Sequence, residues 1–118
     1  MQYLCLIYYD EKKLENMPEP ERKAMYDEAY AYYDELVKNG HGIAGDALQS
    51  VKNATTVRVK KGMTSITDGP YVETKEQVGG FILMEAEDLE QAIRLASNIP
   101  PARLGGVEVR PVWDMIEQ

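Results

Sequence analysis

The sequence predicts a single α+β domain whose elements run strand, helix, strand or hairpin, strand, helix, strand. Three observations carry this. Tyr3-Leu4-Cys5-Leu6-Ile7-Tyr8-Tyr9 and Phe81-Ile82-Leu83-Met84 are apolar on both alternating faces, as central strands covered on both sides are. Glu21 to Asn39 and the stretch after Asp88 repeat apolar residues at helical spacing. Val107 to Val112 alternates valines with Glu108 and Arg110, which fits a strand with one polar face.

Each element has local support. Asp10 and Glu11 end the first strand, and a linker runs through Asn16-Met17-Pro18-Glu19-Pro20. In the long helix Met25, Ala29, Tyr32 and Leu36 form a stripe that Tyr33 and Val37 widen, and Gly40 terminates it. Ile43 to Leu48 reads as an irregular strand. Thr55 to Lys60 puts Val57 and Val59 on one face and Thr56, Arg58 and Lys60 on the other. Lys61-Gly62 turns the chain into a short strand from Met63 to Thr67, and Asp68-Gly69-Pro70 breaks it. Tyr71 to Gln77 is a polar loop. Asp88 caps the second helix with Gln91 in the capping-box position, and Leu89, Ala92, Ile93 and Ala96 form its stripe. Pro100-Pro101 forbids its continuation.

With the doubly apolar strands first and third among the principal ones, this is the order of a ferredoxin-like sandwich. The expectation is a four-stranded antiparallel sheet with an extra hairpin strand and two helices on one face. Those helices leave the other face needing cover, and a second copy supplies it most simply, so a homodimer is expected.

Composition narrows the function. The 118 residues suit one domain, 1–118, that folds without disulfides or a structural metal. The single cysteine, Cys5, sits in the first apolar run and reads as a buried thiol. No spacing predicts a metal or cofactor site. A net charge of −7 argues against nucleic acid while leaving room for a local pocket that takes a small anion. No run reads as a membrane span or a signal peptide, so the expected location is the cytoplasm, with no membrane partner.

The run Thr67-Asp68-Gly69-Pro70-Tyr71-Val72-Glu73-Thr74-Lys75-Glu76 resembles the signature of the YCII-related family, and within it the subgroup named for an Asp-Gly-Pro-Phe motif. Tyr71 stands where that motif has Phe. The likeness continues through Ala54-Thr55-Thr56-Val57-Arg58, Val78-Gly79-Gly80-Phe81 and Gly106-Val107-Glu108-Val109-Arg110-Pro111. The resemblance implies a dimeric α+β barrel of ferredoxin-like subunits. The broader family carries a His-Asp pair proposed to serve a catalytic site, its histidine near the start of the first long helix. The one histidine here, His41, follows that helix instead. Subgroup members are often encoded beside alternative sigma factors, which implies regulation in some contexts.

The candidate catalytic residues are Asp68, on a rigid turn that suits a functional carboxylate, and His41, whose ordinary pKa lies near neutrality. Asp46 is a possible companion to His41. Candidate ligand-binding residues are Asp68, Tyr71, Glu73 and Lys75 on the loop, with Arg58 and Arg110 able to hold an anion through paired hydrogen bonds. Tyr8, Tyr9, Tyr32 and Tyr33 are candidate aromatic walls. Two function classes follow: a small-molecule-binding protein, enzymatic if a carboxylate does acid-base chemistry, or a non-catalytic regulatory or structural dimer. A pocket holding Asp68 with His41 in reach would favour the enzyme; an apolar pocket without them would favour binding.

Overall fold

The structure, a computed structural model, describes residues 1–115. The chain runs β1 (Gln2–Tyr9), α1 (Glu11–Glu15), α2 (Glu19–Lys38), β2 (Gly42–Ala47), β3 (Thr55–Lys60), β4 (Met63–Asp68), β5 (Gln77–Glu85), α3 (Leu89–Ala96) and β6 (Gly105–Pro111). Short 3₁₀ turns cover Val51–Asn53 and Pro100–Leu104.

Four strands form an antiparallel sheet in the order β2-β5-β1-β6, so the two doubly apolar strands are the inner pair. Tyr3, Cys5, Ile7 and Tyr9 of β1 and Ile82 and Met84 of β5 point to the helices, where they pack with Leu36 of α2 and Ala92 and Ala96 of α3. Leu4, Leu6, Tyr8, Phe81 and Leu83 face the other way and are half-buried. Leu89 and Ile93, expected in the buried stripe of α3, are about half exposed, because the helix approaches the sheet through its alanines.

Two expectations are corrected. The expected barrel is not formed: the four-stranded sheet is open, with β2 and β6 as edges that do not meet. The hairpin is not an added strand of that sheet either. β3 and β4 pair only with each other, in a separate two-stranded sheet. The tight turn at its tip is legible in the sequence, since Lys61 and Gly62 both have positive φ, 52° and 77°.

The caps follow local chemistry. Asp10 accepts from Lys12 N at 3.0 Å and starts α1, which the sequence reading ran into the linker. Gln91 N donates to Asp88 Oδ1 at 2.9 Å, and Gln91 Oε1 reaches back to Glu87 N at 2.7 Å. Gly40, at φ +80°, lets the chain reverse after α2, with His41 N donating to Leu36 O at 2.8 Å.

Candidate functional site

The segment after β4 folds back on the base of the hairpin. Gly69 takes φ +106°, a conformation only glycine adopts readily. This lets Gly69 N donate to Ala54 O and the Thr56 hydroxyl donate to Gly69 O, both at 2.8 Å. Arg58 lies over the Tyr71 ring, 4.3 Å from its centroid, and an Nη donates to Tyr71 O at 3.4 Å. Gln77 fastens the far end of the loop by donating to the carbonyls of Val72 and Thr74.

Asp68 pairs across the hairpin with Thr55, so its side chain shares a face with Val57 and Ile66, opposite to Arg58. Its carboxylate is exposed to solvent. His41 sits elsewhere: its Nδ1 donates to Glu85 O at 2.9 Å, at one end of β5, while the Asp68 loop is tied to Gln77 at the other. Roughly 25 Å of extended strand separates those ends. The two candidate catalytic residues are therefore not brought together. Asp46 is on the sheet face away from the helices, opposite Phe81. Arg110 pairs with Glu108 within β6, the opposite edge strand of the sheet.

Tyr71 does reach a cleft. With Tyr8, Leu48, Pro70, Val72 and Val78 it lines an open space of about 730 Å³ between the loop and the sheet. No Asp, Glu, Lys or Arg lines it. Glu73 and Lys75 border a separate groove of about 540 Å³ with Asp10, Glu11 and Lys52. Glu11 is engaged there, accepting from Ser50 Oγ and Val51 N at 2.8 Å each. Among the described residues no three His, Cys, Asp or Glu side chains converge as metal ligands would.

A better enclosed space lies on the helix side of the sheet. Its volume is about 120 Å³, and Tyr9, Tyr26, Tyr30, Tyr32 and Tyr33 are among its walls. The sequence reading named three of these as aromatic walls but missed the hollow. The missing signal is small residues in register: Gly45 and Ala47 on β2 and Gly80 on β5 leave room under α2. Gly79 is required by a close approach, since a Cβ there would lie 2.2 Å from the Tyr9 ring. Burial, then Tyr26 and Glu11, pushes the Tyr9 phenol above its ordinary pKa, and burial does the same first for Tyr32. Both rings are neutral at physiological pH. Tyr32 donates to Leu95 O at 2.6 Å, whereas Tyr9 makes only a long 3.5 Å contact with Gly79 O. Tyr9, Tyr26, Tyr30 and Ala47 also border a groove of about 400 Å³ that includes Glu11 and Glu15, giving the hollow an acidic mouth.

Residues 1–116 match the YCII-related domain. The chain belongs to the YCII-related family. An uncharacterised protein of Rhizobium meliloti (strain 1021) is 32% identical over 114 residues, covering 95% of this chain and 92% of that one. Among solved structures, the family member described here is similar to 5-chloro-2-hydroxyhydroquinone dehydrochlorinase (TftG) from Burkholderia phenoliruptrix AC1100, in complex with 2,5-dihydroxybenzoquinone. That likeness has a TM-score of 0.55 at 18% identity, over 100% of this chain and 99% of the other, and shows a shared fold. No helix among the described residues is long and apolar enough to cross a membrane.

Proposed function

We propose that this YCII-related protein binds a small, uncharged, single-ring compound in the tyrosine-lined hollow between α2 and the sheet. The observation that carries this is the wall chemistry: aromatic and aliphatic side chains enclose the space, and no Lys, Arg or His lines it. Its one carboxylate-bearing lining residue, Asp46, projects to the opposite sheet face. An apolar cavity of roughly 150 Å³ accepts benzene, so about 120 Å³ with an open mouth suits one ring. Glu11 and Glu15 at the mouth disfavour anions. The dihydroxybenzoquinone in the similarly folded dehydrochlorinase supports a ring of this size.

The separation of Asp68 from His41 favours binding over acid-base catalysis by that pair. Asp68-Gly69-Pro70-Tyr71 supports placing the chain in the Asp-Gly-Pro-Phe branch. The half-buried apolar side chains on the uncovered sheet face support a homodimer.

Titration calorimetry with p-cresol tests the binding reading. Saturable binding with a Kd of roughly 10 μM to 1 mM is expected for so small a ligand. Ala29→Phe, which fills the hollow from α2, is expected to abolish binding while circular dichroism shows an intact fold. Absence of binding to the wild type, or undiminished binding to a folded Ala29→Phe variant, would sink the proposal.

A further inference from the structure

The hydroxyl of Tyr9 stands apart from the other phenols around the tyrosine hollow. Tyr9 closes β1 on the helix side of the sheet and is only 9% exposed. Its ring lies against Gly79: a Cβ there would come 2.2 Å from Tyr9 Cζ and 2.3 Å from Oη. Gly79 is itself a wall residue, so the hydroxyl end of the ring borders the hollow, and Tyr9 also borders the groove that opens it to water. The hydroxyl donates to Gly79 O at 3.5 Å, well beyond the 2.7–2.8 Å or about that which O–H···O bonds favour. That carbonyl already accepts from Leu48 N at 2.9 Å. By contrast, Tyr32 is committed to Leu95 O at 2.6 Å, and Tyr26 and Tyr30 are 40% and 68% exposed and reach water. A buried donor held this far from its acceptor is costly, and native structures normally give such a group a closer partner.

We propose that the Tyr9 hydroxyl is the specificity-determining donor of the hollow, and that the compound bound there carries a neutral hydrogen-bond-accepting oxygen on its ring, as a phenol or an aryl aldehyde does. This rests on the ring-binding reading and narrows it from any small uncharged ring to an oxygenated one. Apolar walls alone favour a hydrocarbon ring, which loses less hydration on entry. A donor without a short partner shifts that preference toward oxygen. A ligand oxygen completes the bond, whereas a methyl group in the same place covers the hydroxyl and leaves it unpaired. The proton to be donated is in place, because burial holds the Tyr9 phenol in its neutral form. An ionised oxygen is disfavoured by Glu11 and Glu15 at the mouth. The bare Cα of Gly79 is what lets the hydroxyl stand at the wall, since any side chain there would displace the ring.

The test is a cycle of two ligands and two proteins followed by titration calorimetry. The ligands are p-cresol and p-xylene, which differ by a hydroxyl against a methyl group; the proteins are the wild type and Tyr9→Phe. The ratio of p-cresol affinity to p-xylene affinity is expected to fall about five- to tenfold in Tyr9→Phe. Phenylalanine keeps the ring against Gly79, and circular dichroism checks the fold. A second measurement needs the wild type alone: the infrared carbonyl stretch of bound, carbonyl-labelled benzaldehyde should lie below its position in hexane, as that of a hydrogen-bonded carbonyl does. If both rings bind the wild type and are lost in Ala29→Phe, yet their ratio is the same in Tyr9→Phe, the hollow binds rings but the role of Tyr9 is overturned, water then satisfying its hydroxyl. Failure of benzaldehyde to bind where the other rings do, or a stretch at the hexane position, overturns it too. Binding of neither ring to the wild type overturns the ring-binding reading and this inference with it.

Discussion

The helix-covered face of the sheet and the β3–β4 arm use similar side chains to opposite effect. On the sheet, Cys5, Ile82 and Met84 meet α2 and α3 and are closed off from water. On the arm, Val57, Val59 and Ile66 are just as well placed on a strand face and stand in water. Alternation makes both into strands, but only packing against another layer turns a strand into a core. The body therefore holds the stability of the single chain, and the arm offers surface.

Truncating one residue in each region puts the largest strain on this contrast. Met84→Ala, at a side chain that is 0% exposed, should cost about 2–5 kcal/mol in urea denaturation. Ile66→Ala, measured at high dilution, removes one exposed cross-strand partner of Val57 and should cost less than about 1 kcal/mol. Equal costs would mean that the arm belongs to the core.

Alkaline pH separates the regions by a different route. Burial raises the Cys5 thiol from 9.0 to about 11. The unfolded chain ionises it first, so its contribution is intact below pH 9 and is lost as pH rises toward 11, on the order of 2–3 kcal/mol. Buried Tyr9 and half-buried Tyr32 shift in the same direction. Urea midpoints against pH should fall in this window, less steeply in Cys5→Ala and unchanged in slope in Ile66→Ala. A flat wild-type profile would place the thiol in contact with water.

The smallest effects distinguish the two halves of the loop motif. Gly69→Ala forces a side chain onto φ +106° and should cost about 1–3 kcal/mol. Asp68→Ala, at an exposed carboxylate, should stay within about 0.5 kcal/mol. Thermal denaturation of the pair decides it. A reversed order would show that Asp68, rather than the glycine, holds the loop.

Periodicity makes the body legible. The inner position of β1 and β5 follows from apolar residues on both faces, and α2 ends where Gly40 permits reversal. The hairpin strands are equally clear, yet nothing in their alternation says whether a third strand will pair with them, because that choice depends on distant edges. The Asp68 motif announces a turn but not which face of the hairpin its carboxylate takes; register with Thr55 decides that. The tyrosine hollow depends on Gly45, Ala47 and Gly80 coming into register across two strands under one helix, which no single segment reveals.

Gly79 has a further meaning in terms of chain length. The ladder steps from Gly80 opposite Ile7 directly to Val78 opposite Tyr8, so Gly79 is one residue more than the pairing of β1 with β5 consumes. A β5 shorter by that residue would keep the same partners on both sides of the gap. The surplus residue instead turns its carbonyl to Leu48 N at 2.9 Å and leaves its bare Cα beneath the Tyr9 ring. An insertion of one residue, neutral to the count of paired strands, thus shapes one wall of the hollow, and sequence length at this position is itself a specificity determinant of the fold.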